Sequence, residues 1–342
     1  MRLNSKALFA AAGLAAFAFS PANAYEGGYA GWQTKPGAFI GSSAGVPPPG
    51  IYMFNQIFTY QTNFTGPGTS TLRLGNHNGV SAAVDVQGFL FVPGWTFLGA
   101  TYDAVIVQPW VMDSVGSPLA GIPGFNNQAA GMHNTYLVPV ELSWKFGTSG
   151  FNVKTGLGIG APDGTMTGPT GLGNQGNPFW TFQPELILSY LKDGWNLSAA
   201  MYYEINTANS IDNYTTGNIF HVDFTATKTI GKWTVGPVAY YVGQVTDDKC
   251  PIGICTAFNP LGTAGNAQRF NLWAVGGLIE YNFGPATASV WATQEVSANA
   301  KNSAVPVAND GSLITQGMTV FFTLSYRLWA PEEPPKPAIF HK

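Results

Sequence analysis

The chain is poor in charged residues and in cysteine, and it lacks a long apolar run with which a helix could cross a membrane. Only 10% of its 342 residues are charged, against about 25% in soluble domains. The apolar run near the start is too short to count as a span, and no later stretch offers about 18 uncharged apolar residues, which argues against a helical membrane protein. Basic tracts are also absent, which argues against nucleic acid as a partner.

Aromatic residues, glycine and a regular alternation of side chains are abundant instead. Aromatics make up 14% of the chain, with 42 glycines and 24 prolines. From Gly50 to Trp329, segments of about a dozen residues alternate apolar and polar positions, as they do when lipid-facing and lumen-facing side chains follow one another along a strand. The sequence therefore predicts an all-β fold, a transmembrane antiparallel up-and-down β-barrel in the outer membrane of a Gram-negative cell. A soluble β-sandwich is the alternative.

The spacing of turn residues predicts about twelve strands. We expect them near residues 50–61, 79–92, 95–110, 134–146, 151–161, 178–191, 195–206, 218–230, 232–245, 268–283, 286–297 and 316–329. Five connections are tight and rich in Gly, Asp and Pro, at residues 93–94, 147–150, 193–194, 231 and 284–285. Short turns are typical of the periplasmic side of such a barrel and long loops of the cell surface.

Three segments lie outside the strand pattern. Residues 1–24 carry Arg2, Lys6, an apolar run and the small-residue site Ala22-Asn23-Ala24, which predicts a secretory signal peptide removed after Ala24. Residues 25–49 are rich in glycine and end in three prolines, so we expect them to run extended, either as a periplasmic lead-in or as a plug in the pore. The proline-rich tail, residues 330–342, is expected to be disordered or to form polyproline II.

Side-chain alternation also predicts which face each residue occupies. In the strand near 134–146, Tyr136, Val138 and Val140 are expected on the lipid side, and Glu141 and Lys145 in the lumen. In the first strand, Gln56 falls on the aromatic side and is a misfit. A carboxylate facing lipid carries a depth-dependent cost, so inward placement is preferred for acids such as Asp85. Phe89, Ile187 and Leu278 are the expected apolar lumen positions.

The candidate selectivity residues are the charged and titratable side chains expected in the lumen. They are Asp103, Glu141, Glu185, Glu204, His221 and Asp223, and, toward the periplasmic ends, Lys145, Lys154 and Arg327. Two interpretations remain open. The pore is either polarised, acidic above and basic below, or its charges pair with one another and merely fill the lumen.

The two cysteines, Cys250 and Cys255, lie five residues apart in one long connection. Because an exported protein meets an oxidising compartment, the spacing favours a disulfide that closes a small loop. A metal site is the weaker alternative, since two thiols without a nearby histidine make only half of a zinc site. No metal and no cofactor are predicted.

Catalytic motifs are not convincing. His77 with Ser81, and His133 with Ser143, lack the base and orienting group that an activated serine requires. The pattern Gly156-x-Gly158-x-Gly160 lies on an expected strand rather than before a helix, so it is not a phosphate-binding loop. Its small side chains are expected to leave room in the barrel for a plug or a ligand. We therefore predict that the protein is not an enzyme.

Short strand and turn motifs resemble those of a known family. They are Pro49-Gly50-Ile51-Tyr52, the stretch from Gly88 to Gly94 with Leu98-Gly99-Ala100-Thr101-Tyr102, and the stretch from Phe321 to Arg327. They resemble the family named for the meta-pathway of phenol degradation, outer-membrane barrel proteins linked to the handling of aromatic compounds. The chain departs from common barrels in continuing beyond the aromatic end of its last strand.

The resemblance implies a channel or facilitator for the uptake of small hydrophobic or aromatic molecules, with such solutes and outer-membrane lipids as partners. A structural or ligand-binding barrel without transport, and an integral outer-membrane hydrolase, are the alternatives. A homo-oligomer is left open.

Overall fold

The computed structural model describes residues 29, 31–65, 79–115, 128–168, 173–249, 269–300 and 314–332. Its strands are β1 (Gly50–Thr65), β2 (Val80–Val92), β3 (Thr96–Phe97), β4 (Ala100–Val115), β5 (Gln128–Met132), β6 (Tyr136–Lys145), β7 (Phe151–Gly160), β8 (Thr181–Lys192), β9 (Trp195–Asn206), β10 (Ile219–Ile230), β11 (Trp233–Gln244), β12 (Phe270–Asn282), β13 (Ala286–Ala300) and β14 (Ile314–Trp329). Within these ranges no helix is long and apolar enough to cross a membrane.

The strands close into a ring. Each pairs antiparallel with its neighbours in the order β2, β1, β14, β13, β12, β11, β10, β9, β8, β7, β6, β4, and β2 also pairs β4. Strands β5 and β6 both pair with β4, one beyond the other, so together they occupy one wall position. The two-residue β3 pairs only with the start of β4. The predicted twelve-strand closed antiparallel barrel is therefore confirmed.

The turn between β8 and β9 illustrates how the sequence sets a tight connection. Asp193 and Gly194 have φ angles of 53° and 77°, which a two-residue hairpin of the I′ type requires at both central positions. Lys192 and Trp195 consequently pair directly across the turn. Because the turn geometry fixes the register, it also fixes which side chains along β8 and β9 face inward.

Side-chain parity in β6 differs from the prediction. Tyr136 and Val138 are buried in the barrel and do not face lipid. The register with β7 shifts between Leu137 and Glu141, across Pro139, which has no N–H to donate to the ladder. A bulge at this point reverses the alternation, and Glu141 beyond it is buried as expected.

The aromatic side of β1 faces the barrel interior. Phe58, Tyr60 and Phe64 are buried there together with Gln56. The Gln56 amide donates to Ala38 O at 3.0 Å and to Thr323 Oγ1 at 3.2 Å. Gln56 is therefore not a misfit on a lipid face but a hydrogen-bonding residue of the interior.

Two inward placements on β2 are wrong. Phe89 is 40% exposed on the outer face. Asp85 pairs in register with the exposed Ile57 and accepts a hydrogen bond from Asn55 Nδ2 at 2.6 Å. The intervening residues Val84 and Val86 are the ones that line the interior. The bonded asparagine offsets part of the cost of the outward carboxylate.

Candidate functional site in the barrel lumen

Residues 31–49 contact the inner wall along most of the length of β8. Gly31 exchanges hydrogen bonds with Asn177, just before β8 begins. Thr34 Oγ1 bonds Gln183, and Ala44 N donates to Ser189 Oγ at 2.8 Å, near the tight turn. The segment therefore runs inside the barrel from the long-loop end to the tight-turn end.

Asp223 on β10 is the strongest anchor of this segment. Its carboxylate is almost fully buried and accepts hydrogen bonds from Gly37 N at 2.9 Å and Phe39 N at 3.1 Å, one on each oxygen. Gly37 has a φ of 89°, and a Cβ there would lie 2.8 Å from the Tyr240 ring. Only glycine lets the backbone turn this closely against the wall.

A buried lysine of the segment, which the strand pattern does not mark, meets an acid of β13. Lys35 Nζ lies 3.5 Å from Glu295 Oε1 and 4.3 Å from the centre of the Tyr60 ring. The hydroxyls of Tyr60 and Tyr240 donate to the same carboxylate. Lys35 and Glu26 are the only charged residues between 25 and 49. A single lysine in a segment with so little charge is the feature of the sequence that indicates a buried lysine with a partner.

The acid–lysine cluster, formed by Asp103, Glu141, Lys154 and Glu185, lies on four strands. Lys154 Nζ is 3.1 Å from Asp103 Oδ2 and 3.2 Å from Glu141 Oε2. A Cβ on Gly156 would lie 2.6 Å from Glu185 Oε1, so this glycine makes room for the fourth member. Lys154 thus lies among the acids rather than apart from them, which favours the paired interpretation for these residues.

The other two glycines of the β7 pattern also accommodate side chains. A Cβ on Gly158 would lie 1.9 Å from the Tyr136 hydroxyl, and one on Gly160 would lie 2.1 Å from Gln33 Oε1 of the segment. Both neighbours are part of the interior packing. The pattern therefore leaves room inside the barrel for Gln33 of the segment as well as for the Tyr136 side chain of the wall.

The remaining candidates are placed in different surroundings. Glu204 and His221 are fully buried, and the His221 ring lies 4.6 Å from the ring of Tyr202. Lys145 is exposed at the end of β6. Arg327 is exposed, donates to Pro49 O and lies over the Tyr52 ring. Arg327 therefore fastens the start of β1.

A cavity of about 490 Å³ lies between the segment and the wall. Its wall side is formed by apolar residues of β1, β2, β4 and β6, among them Phe54, Phe58, Val84, Val86, Val107 and Val138, and its other side by Ala38, Phe39 and Ile40 of the segment. Ile187 and Leu278 also line it, whereas Glu141, Lys154 and Glu185 supply a charged border. Such a space can hold a small apolar molecule beside a few polar groups.

His133, in the connection between β5 and β6, does not have the geometry of a catalytic base. Its ring nitrogens lie 2.7 Å from Gln175 O and 3.0 Å from Trp32 O. Both nitrogens therefore face backbone carbonyls, and the neutral ring donates its one N–H to one of them. Burial lowers the pKa of His133 below its ordinary value, although the two carbonyls oppose this shift. The histidine fastens the segment to a loop.

His77, Cys250 and Cys255 lie outside the described residues. The disulfide between Cys250 and Cys255 stays a prediction.

A closed twelve-strand barrel with an apolar outer face and an internal segment defines a protein of the outer-membrane barrel type. The chain belongs to the family described as Putative MetA-pathway of phenol degradation, whose sequence profile matches residues 55–305. No curated protein matches the chain significantly.

Solved structures of outer-membrane barrels are similar to the chain at low sequence identity. The COG4313 outer membrane channel from Pseudomonas putida F1 is similar with a TM-score of 0.65 and 9% identity, over 86% of this chain and 99% of that one. The translocator domain of the autotransporter NalP from Neisseria meningitidis gives a TM-score of 0.45 and 10% identity, over 82% and 90%.

Proposed function

We propose that this protein is an outer-membrane channel or facilitator for the uptake of small hydrophobic or aromatic molecules. The observation that carries the proposal is the apolar cavity of about 490 Å³ inside a barrel. A solute that partitions poorly through the polar outer leaflet would find there a largely apolar wall bordered by polar and charged groups. The signal peptide, residues 1–24, would deliver the chain to the outer membrane, and no catalytic step is part of the proposal.

Family membership and the outer surface support this assignment. The matched family is named for phenol degradation, and the similar Pseudomonas putida protein is described as an outer membrane channel. Large apolar side chains such as Leu186, Phe224 and Ile279 are exposed on the outside of the wall. In water such a band would be costly, whereas lipid acyl chains cover it favourably.

Residues 25–49 act in this proposal as a plug whose displacement opens the path. Polar contacts to Asp223, Thr225 and Ser189 hold the described part of the segment against β8 and β10. Because hydrogen bonds to a wall can be exchanged for hydrogen bonds to water, the segment can be displaced without breaking the barrel ladder. Solute entering the cavity would then pass toward the periplasm.

A disulfide lock tests the plug directly. Ala44→Cys with Ser189→Cys joins positions whose N and Oγ atoms are 2.8 Å apart, in a background with Cys250→Ser and Cys255→Ser. We expect uptake of a labelled aromatic solute to fall when the lock is oxidised and to return with reductant. Ser189→Cys alone is the matched control, and equal uptake in the oxidised and reduced lock would contradict the plug.

Cell uptake tests the function itself. Cells that lack the gene should take up labelled aromatic solutes more slowly than cells in which the gene is restored, while small sugars should enter both alike. A ligand-binding barrel without transport is the second candidate, favoured by the filled interior of residues such as Ile40, Trp291 and Phe321. Equal uptake with retained solute binding to the purified protein would support that candidate instead.

A further inference from the structure

Two lysines flank a tryptophan in one row on the outside of the wall. Lys192 on β8 pairs in register with Trp195 on β9, and Trp195 pairs with Lys228 on β10. Directly paired residues point to the same face of a sheet, and Trp195 is 43% exposed. With about 4.8 Å between strands, the two lysine Cα atoms lie about 10 Å apart.

This lysine–tryptophan row marks the lower edge of the apolar outer face. The Asp193-Gly194 turn lies directly beyond it. The next outward row, one step up the strands, consists of Tyr190, Leu197 and Ala226. Tryptophan and lysine next to the apolar band of a barrel are typical of the level where lipid headgroups begin.

The row has an unbalanced positive charge. In the described part of the chain, neither lysine forms a salt bridge. Lys228 donates to the backbone oxygen of Asp193 and lies 5.0 Å from the Trp195 ring centre. Exposed Lys232 in the next turn adds a third positive charge, and Asp193 in the turn after Lys192 adds one negative charge. The surface therefore attracts an anion.

We propose that the lysine–tryptophan row binds the headgroup phosphate of an anionic phospholipid in the periplasmic leaflet. Two ammonium groups bracket the phosphate as point charges. The indole N–H of Trp195 is a donor for the ester region, and the acyl chains lie on the apolar rows above. Tight turns face the periplasm in outer-membrane barrels, which assigns the leaflet. The site requires the barrel to lie in a membrane, but it does not require transport.

Lipid titration of the purified barrel tests the site. In neutral detergent, native mass spectrometry would follow the binding of phosphatidylglycerol and of phosphatidylcholine. Attraction of one basic residue to an anionic lipid surface corresponds to roughly fivefold in affinity, so Lys192→Gln with Lys228→Gln should weaken phosphatidylglycerol binding about thirtyfold. Binding of the zwitterionic lipid should hardly change.

The matched control removes the same net charge elsewhere. Lys145→Gln with Lys249→Gln changes one exposed lysine of lumen parity on the same rim and one at the opposite end of the barrel. Heat-modifiable migration in unboiled gels would show that each variant is folded, and the single Lys192→Gln and Lys228→Gln variants serve if the double variant does not fold. Equal binding of the two lipids by the parent protein, or equal losses in row and control variants, would overturn the proposal.

Discussion

Replacing Asp223 by asparagine should release the internal segment. The carboxylate accepts the N–H groups of Gly37 and Phe39 at 2.9 and 3.1 Å. An asparagine of the same shape keeps one acceptor oxygen and places an amide N–H₂ against the other N–H. Hydrogen bonds to charged groups contribute roughly 1.5–3 kcal/mol each, so the variant should lose about 2–3 kcal/mol of docking free energy. That loss shifts the ratio of undocked to docked segment about 30- to 150-fold.

Thiol accessibility measures this ratio. Ala38→Cys, in a background without Cys250 and Cys255, places a thiol on the part of the segment that packs against the apolar interior. When docking is fast relative to labelling, the rate of reaction with an impermeant maleimide is proportional to the undocked fraction. The rate should therefore rise in Asp223→Asn by the same factor as the ratio.

Thr225→Ala is the matched control for this experiment. It removes a neutral hydrogen bond, from Gly41 N to Thr225 Oγ1 at 2.9 Å, two residues further along the same strand. A neutral bond contributes about 0.5–1.5 kcal/mol, so its labelling rate should rise about tenfold at most. If Asp223→Asn labels no faster than Thr225→Ala, the carboxylate is not the main anchor.

Three substitutions inside the barrel should alter its stability. Lys154→Met leaves the acids of the acid–lysine cluster without a cation and should cost about 3–5 kcal/mol in urea unfolding; a loss below about 1 kcal/mol would mean that the acids are solvated. Burial lowers the pKa of His133, so the folded state favours the neutral histidine. The stability that this histidine contributes is complete above the ordinary histidine pKa and declines as the pH falls below that value. The melting temperature should therefore drop less between pH 7 and pH 5 in His133→Gln than in the parent. Gly158→Ala should displace the Tyr136 hydroxyl and cost about 1–3 kcal/mol by overpacking, and an unchanged melting temperature would show that the strand relaxes freely.

Much of the fold was readable from local sequence because a barrel strand has a period of two and its tight turns need particular residues. Asp193-Gly194 illustrates both, since the turn residues and the alternation on either side agree. The side-chain alternation of residues 134–146 does not predict the bulge at Pro139, although the proline is visible in the sequence. Whether a proline shifts the register depends on its partners in β4 and β7, and those partners are set by the closed ring.

Sequence by itself determined the class of the protein: a barrel with charged residues inside, apolar residues outside, and a glycine-rich segment before the first strand. Only the tertiary structure decided what the charges do. Asp223 meets Gly37 across 186 residues of chain, and Lys154 meets Asp103 across 51. Local periodicity contains no information about such pairs, because they depend on the stagger of strands around the ring and on a segment that follows no strand pattern. The cavity has the same origin, since its two sides belong to the wall and to that segment.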